Sequence, residues 1–336
     1  MRHLKIILPL LLFPLLAIAN LLWGSVDIPF SDVVSTLMKG TSDNDIATFI
    51  ICQSRLPQMT TALLSGCALA ISGLVMQTVF ANPLADPSIL GVSSGAGLGA
   101  AIAMLLLGGS WAAGNFVLTG YLLTVFSAFA GAMMVIFILL ACSTMLRNNL
   151  LLLVTGVMIS FATSSIVSLL SFFSTAEGVH SYVIWGLGDF SGVTLQRLPA
   201  FALLIIPALI AIVLMSKPLN ALLLGRDYAS NLGINVSRTR TILLLLTGLL
   251  TATVTALCGP ISFLGLAVPH IARLTLRTAN HRLLLPMTLV WGANIALFCN
   301  FIVHLPGDRG LLPLNAITSL LGIPVVLYIL FRRRVL

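Results

Sequence analysis

Runs of about 17 to 25 apolar, nearly uncharged residues recur along this 336-residue chain, and that recurrence restricts the fold more than any motif. Rising 1.5 Å per residue, a helix of that length crosses a hydrocarbon layer of roughly 30 Å. Ten such runs stand out, at 6–23, 56–80, 89–107, 115–146, 149–173, 198–215, 241–258, 260–276, 283–303 and 311–331. With 59% hydrophobic and 8% charged residues, a soluble domain is excluded. The expected fold class is an all-α polytopic membrane protein of about ten transmembrane helices, forming one domain over 1–336. The first run follows Arg2 and Lys5, as a secretory signal would, but further apolar spans follow it. It is expected to stay as a helix. The 115–146 run is longer than a span needs.

Charge orients the bundle. If the N-terminus is inside and ten spans follow, inside segments collect Arg2, Lys5, Arg147, Lys217, Arg226, Arg238, Arg240, Arg273, Arg277, Arg282, Arg332, Arg333 and Arg334, thirteen of the 17 basic residues. Outside segments keep Lys39, Arg55, Arg197 and Arg309, with seven of the nine acids. The positive-inside rule therefore places both termini in the cytoplasm. The net charge of +8 is accounted for by topology, with the lipid bilayer as partner and no nucleic acid. Cys52, Cys67, Cys142, Cys258 and Cys299 lack metal-ligand spacing and read as packing residues.

Small residues recur at helix-packing spacing: Gly91, Gly95 and Gly99 share one face, as do Ala62, Gly66 and Ala70. Such faces let helices approach closely where lipid supplies no hydrophobic drive. Dense packing within one bundle is the expectation, ahead of a dimer interface. Two apolar segments are broken by Pro and Gly: NPLADPSILG (82–91) after the second span, and CGPISFLGLAVPHIAR (258–273) after the seventh. Interrupted segments in oppositely directed halves are what an inverted internal repeat produces, and they point to a pathway at the repeat interface. Asn82, Pro83, Gly259, Pro260, Gly265 and Pro269 are accordingly candidates for pathway and gating. Gly259 and Pro260 should turn the chain at the outer face, Gly265 should admit a neighbouring helix, and Pro269 should bend its helix. His270 and Arg273 are expected to face head groups or a cytoplasmic partner. The fifth span carries Thr155, Ser160, Thr163, Ser164, Ser165 and Ser168. Of these, Ser164 and Ser168 are candidates to line a weakly polar path, unless the hydroxyls bond back to their own helix.

The chain has no G-x-x-x-x-G-K-[ST] loop and no zinc-protease motif, and no catalytic residue, bound cofactor or metal site is expected in it. The ten runs hold no Asp, Glu or Lys, which disfavours an ion-coupled carrier. Energy then has to enter from outside the bilayer. The sizeable inside loop, KPLNALLLGRDYASNLGINVSRTR (217–240), is the place for it. Leu219, Leu222, Leu223 and Tyr228 are expected to share a helix face. Gly225 and Gly233 allow sharp turns, Gly233 after Leu232 reading as a helix C-cap, and Arg226 and Asp227 keep the rim polar. The alternative is a helix resting on lipid.

MQTVFANPLADPSILGVSSGAG (76–97), LGRDYASNLGINV (224–236), CGPISFLGLAVPHIAR (258–273) and LPLNAITSLLGIP (312–324) together resemble the iron-siderophore, haem and cobalamin permease family of type II ABC importers. The resemblance covers nearly the whole chain in order. It implies a permease subunit of the bacterial inner membrane, paired as a homodimer or with a close paralogue. It also implies two cytoplasmic ATPase subunits, which hold ATP and Mg, and an extracytoplasmic substrate-binding protein. Carried over by position, Leu219, Leu222, Leu223, Gly225, Arg226, Asp227, Leu232 and Gly233 become the ATPase-coupling element. Arg55 becomes a docking contact for the binding protein, with Arg309 as a second. The chain departs from the family pattern at Gln58 and Ala81, where Arg is common, at Leu311 and Asn315, and at Asn300 and His304. Ferric siderophore or haem is the expected cargo ahead of cobalamin, and a carrier or channel working without an ATPase is the alternative.

Overall fold

The computed structural model describes residues 2–24, 26–42, 44–88, 90–113, 116–145, 149–307 and 310–333. Arg309 lies outside them. The chain runs as α1 (Arg2–Leu22), α2 (Phe30–Lys39), α3 (Asp45–Ile50), α4 (Leu56–Val79), α5 (Val92–Ala101), α6 (Gly120–Met145), α7 (Asn149–Phe173) and α8 (Ala176–Gly186). It continues as α9 (Leu198–Leu214), α10 (Ser216–Leu223), α11 (Arg226–Asn231), α12 (Val236–Cys258), α13 (Leu264–Leu276), α14 (His281–Val303) and α15 (Leu314–Arg333). Single π-helical turns, Ile51–Arg55 and Ile102–Leu106, lead into α4 and out of α5.

Every expected apolar run falls on one of these helices. Five segments are long and apolar enough to cross a membrane: Asp45–Val79, Gly120–Ser143, Leu150–Phe173, Val236–Cys258 and His281–Val303. Leu198–Leu214 and Ser216–Leu223 pass together as a pair bent by 54°, and Ile7–Leu22, Val92–Leu106, Leu264–Leu276 and Leu314–Tyr328 are shorter apolar helices. The 115–146 run is corrected. Its helix begins at Gly120, and Phe116–Thr119 forms a strand paired antiparallel with Ser110–Ala113. A hairpin satisfies its own backbone donors and acceptors outside the helical bundle, so an apolar sequence alone does not extend the span.

Helix α4 is the axis of the bundle, packed by α14, α12, α13 and α9. Apart from Gln58 and Gln77 its side chains are small or apolar all round, the pattern of a helix with no solvent face. Close approach comes from glycine. A Cβ on Gly73 would lie 1.8 Å from the Gly265 carbonyl oxygen, and one on Gly66 would lie 2.2 Å from that of Gly292. The α5 stripe meets α6 in the same way, Gly95 against Gly131 and Gly99 against Ser127. Both small-residue faces are thus spent inside one chain, as expected. Contacts between α1 and α14 add a buried amide clasp: Asn300 Nδ2 donates to Asn20 Oδ1 at 2.8 Å, and Asn20 Nδ2 donates to the Leu297 carbonyl at 3.0 Å. Cys67, Cys258 and Cys299 are buried thiols, and among the described residues no group of His, Cys, Asp or Glu is placed to hold a metal.

Candidate functional site: the helix pair between α9 and α12 and the polar chain beneath it

The chain leaves α9 at Met215 and turns into α10, whose inner side chains dock on the bundle. Leu219 is fully buried. Asn220 reaches the start of α14, where its Oδ1 accepts from His281 N at 2.8 Å and its Nδ2 donates to Asn280 Oδ1 at 2.9 Å. Then Gly225, at φ 105°, opens α11, and Gly233, at φ 80°, closes it. Both conformations are ones that L side chains rarely adopt. The closure is a Schellman motif: Ile234 N donates to the Ala229 carbonyl at 3.1 Å and Gly233 N to that of Ser230 at 2.9 Å. The C-cap read from sequence is the one observed.

The expected shared face is corrected. Leu219 and Tyr228 belong to different helices joined at Gly225, and Leu219 points into the bundle as an anchor while Leu223, Leu224, Tyr228 and Leu232 are exposed. Arg226, Asp227 and Gly233 are exposed as well, and Leu222 is half-buried. The outcome is an apolar and charged knuckle standing off the end of the bundle.

Polar contacts run inward from this knuckle. His281 Nε2 pairs with Thr78 Oγ1 at 2.8 Å, on the last turn of α4. Gln77, the adjacent residue, accepts from Arg273 Nη1 at 2.6 Å. Arg273 also lies 3.5 Å from His270 Nδ1, and His270 Nε2 meets the Pro83 carbonyl at 2.9 Å. His270 and Arg273 thus knit α13 to α4 and to the 82–91 segment. Gln77, Thr78, Asn220, Asn280 and His281 were invisible to motif reading. Only the Asn280–His281 pair ahead of an apolar run hinted at a capped helix start, and Asn280 Oδ1 does cap α14.

The two interrupted segments meet each other. Asn82 makes a local turn, its Oδ1 accepting from Leu84 N at 2.9 Å. The chain then carries buried Asp86 against α13, where a Cβ on Gly265 would lie 2.0 Å from Asp86 Oδ1. Pro269 is buried within α13. At the opposite end, Gly259 and Pro260 turn the chain between α12 and α13 beside the loop after α8. Asp189 N donates to the Cys258 carbonyl at 2.8 Å, Asn315 N to that of Leu187 at 2.9 Å, and Ser262 N to Asn315 Oδ1 at 3.1 Å. The fifth-run hydroxyls mostly bond back to their own helix: Ser168 Oγ donates to the Ser164 carbonyl at 3.0 Å, and Thr155, Ser160, Thr163 and Ser165 do the same. Ser164 and Ser168 are exposed on α7.

Arg55 is also corrected. It is 5% exposed, and its guanidinium donates to the carbonyls of Leu21 at 2.7 Å, Leu22 at 2.9 Å and Val26. These acceptors lie at and beyond the end of α1, where no helical N–H reaches them, so the side chain acts as a C-terminal cap supplied from another helix. Arg55→Gln is expected to lower stability by about 2–4 kcal/mol, because at least two charge-assisted bonds vanish. The check is thermal unfolding in detergent. An unchanged midpoint would return Arg55 to a surface role. His304 is tied to the Asn300 carbonyl at 2.8 Å and faces Gln58 at 3.4 Å.

A bundle of apolar helices threaded by small-residue contacts, with a jointed helix pair wired into its core, defines an integral membrane permease subunit. The profile of the FecCD transport family matches residues 10–332, and the chain belongs to that family. It is 38% identical over 284 residues to the vitamin B12 import system permease protein BtuC of Klebsiella pneumoniae subsp. pneumoniae, covering 84% of this chain and 83% of that one. The corresponding protein of Escherichia coli O9:H4 is 37% identical over 287 residues, with 84% of each covered. A solved structure described as an inward-facing conformation of a metal-chelate type ABC transporter superposes with a TM-score of 0.81 at 28% identity, covering 97% of this chain and 99% of that one. The resemblance read from four separated motifs is borne out.

Proposed function

We propose that the chain is the membrane subunit of an ATP-driven importer that moves a metal chelate inward by alternating access. The observation that carries this is the α10–α11 knuckle: exposed at one end, jointed at Gly225 and Gly233, and joined through Asn220, His281 and Thr78 to the central helix. A partner that shifts the knuckle shifts α4 and α14 with it. The partners are two cytoplasmic ATPase subunits holding ATP and Mg, a second copy or close paralogue of this chain, and an extracytoplasmic binding protein. Ten spans, an inverted repeat, both termini in the cytoplasm and residence in the bacterial inner membrane complete the reading, supported by the charge distribution.

The path is assigned to the dimer axis between α7 and α15 of the two copies, with 181–191 at its mouth. Both helices leave large apolar side chains exposed, among them Phe161, Leu169 and Phe172 on α7 and Leu320 and Phe331 on α15. The cargo class spans cobalamin, ferric siderophore and haem, and the similarity to vitamin B12 permeases brings cobalamin into the first rank. Reconstitution tests the reading. Cargo uptake into proteoliposomes is expected only when both ATPase subunits and ATP are present, whereas uptake by this chain alone would establish the carrier or channel alternative.

A further inference from the structure

Arg240 sits in the second turn of α12 and is 5% exposed. Its Nε and Nη2 find no hydrogen-bond partner among the described residues. A guanidinium does not shed its proton, so this is a buried cation lacking donors' partners along one edge, a state that is strongly unfavourable unless an anion completes it. The Phe80 ring, with its centroid 5.7 Å from Arg240 Cζ, offsets part of the cost but accepts no hydrogen bond of ordinary strength. The unpaired Nε and Nη2 are neighbours on the planar fork that grips carboxylate or phosphate in a bidentate manner.

Beside this guanidinium lies a cavity of about 290 Å³, shared by Ser143 of α6, Arg226, Asp227 and Ser230 of α11, and Ser237 and Thr241 of α12. At roughly 30 Å³ per water, it has room for a hydrated phosphate group. Four hydroxyl side chains and the positive end of a 23-residue helix surround it. Arg226 and Asp227 offset each other, so the surplus charge is that of Arg240 and the helix terminus. We infer that this cavity is an oxyanion site for a phosphate group, gripped by Arg240 with Ser237 and Thr241 as donors. The group comes either from a soluble phosphate compound or from an anionic phospholipid head group. The Nε–Nη2 edge is enclosed, so binding turns it into the cavity through the terminal torsions of the side chain. This assignment stands on the local geometry and does not depend on the transport reading.

The test uses the full chain in phosphatidylcholine nanodiscs, following its thermal unfolding midpoint. One arm titrates inorganic phosphate at constant ionic strength with chloride as the balancing ion. The other replaces part of the lipid with phosphatidylglycerol and adds no phosphate. A saturable rise in midpoint is expected in at least one arm: the phosphate arm for a soluble source, the lipid arm alone for a head group. Arg240→Gln should abolish the rise. Ser237→Asp sets a carboxylate three residues before Arg240 on an exposed helix turn; it should raise the midpoint without any added anion and remove both responses, which keeps the test decisive even if Arg240→Gln folds poorly. No response in either arm, or a response that persists in the variants, would overturn the site. So would an Arg240-dependent shift that appears only when a soluble partner protein is added, which would assign the arginine to a protein carboxylate.

Discussion

Gly73→Ala is expected to yield little or no folded protein. The added Cβ would lie 1.8 Å from the Gly265 carbonyl oxygen, 2.3 Å from its carbon and 2.5 Å from its Cα, all backbone atoms with no rotamer to yield. Separating α4 from α13 would also disturb α12 and α14, because α4 packs on all three. Overpacking of ordinary cores costs about 1–3 kcal/mol, and this contact belongs at or above the top of that range. Alanine's better helix propensity returns only about 1 kcal/mol. Gly186→Ala is the control, since a Cβ there meets nothing within 4 Å. Yield after solubilisation and the thermal midpoint are the readouts. A Gly73→Ala protein as stable as the Gly186→Ala control would mean that the helices do not approach as described.

Gly233→Val should act in the opposite manner, leaving assembly measurable while removing coupled transport. A Cβ at Gly233 meets open space, so the substitution causes no clash. The penalty is conformational. At φ 80° a non-glycine residue costs on the order of 1–2 kcal/mol, and a β-branched one sits at the upper end. Relaxing that strain rotates α11 relative to α12 and misplaces Tyr228 and Leu232. Since about 1.4 kcal/mol is a factor of ten in an equilibrium constant, uptake by the assembled complex should fall about tenfold or more. ATP hydrolysis that persists without uptake would be the signature of uncoupling. Wild-type uptake by Gly233→Val would remove the knuckle from the mechanism.

Much of the fold was legible because a membrane reduces the problem to one variable. Apolar runs favour helices, and each expected run contains one, although Phe116–Thr119 at the head of the 115–146 run is a strand. Gly233 and Gly265 were also legible, since a left-handed cap and a backbone contact both call for the residue without a Cβ. What escaped was partnership. Arg55 looked like a docking charge because its position matches one in the family pattern, but the carbonyls left by the end of α1 claim its donors. Leu219 and Tyr228 fit one helical face by spacing, but the joint at Gly225 divides that face. His270 and Arg273 end an apolar stretch, and their partners Pro83 and Gln77 lie far away in sequence, where no local pattern points to them. The link from Asn220 through His281 to Thr78 spans three separate helices, and no local pattern encodes such a contact.

The most direct measurement of the central claim is ATP hydrolysis by this chain assembled with its ATPase subunits in proteoliposomes, with and without cargo-loaded binding protein. Cobalamin, a ferric siderophore and haem are compared on their respective binding proteins. Stimulation by one loaded binding protein, together with uptake of that cargo and loss of uptake when ATP is withheld, is the predicted result. Cargo uptake that proceeds at the same rate without ATPase subunits would contradict the account.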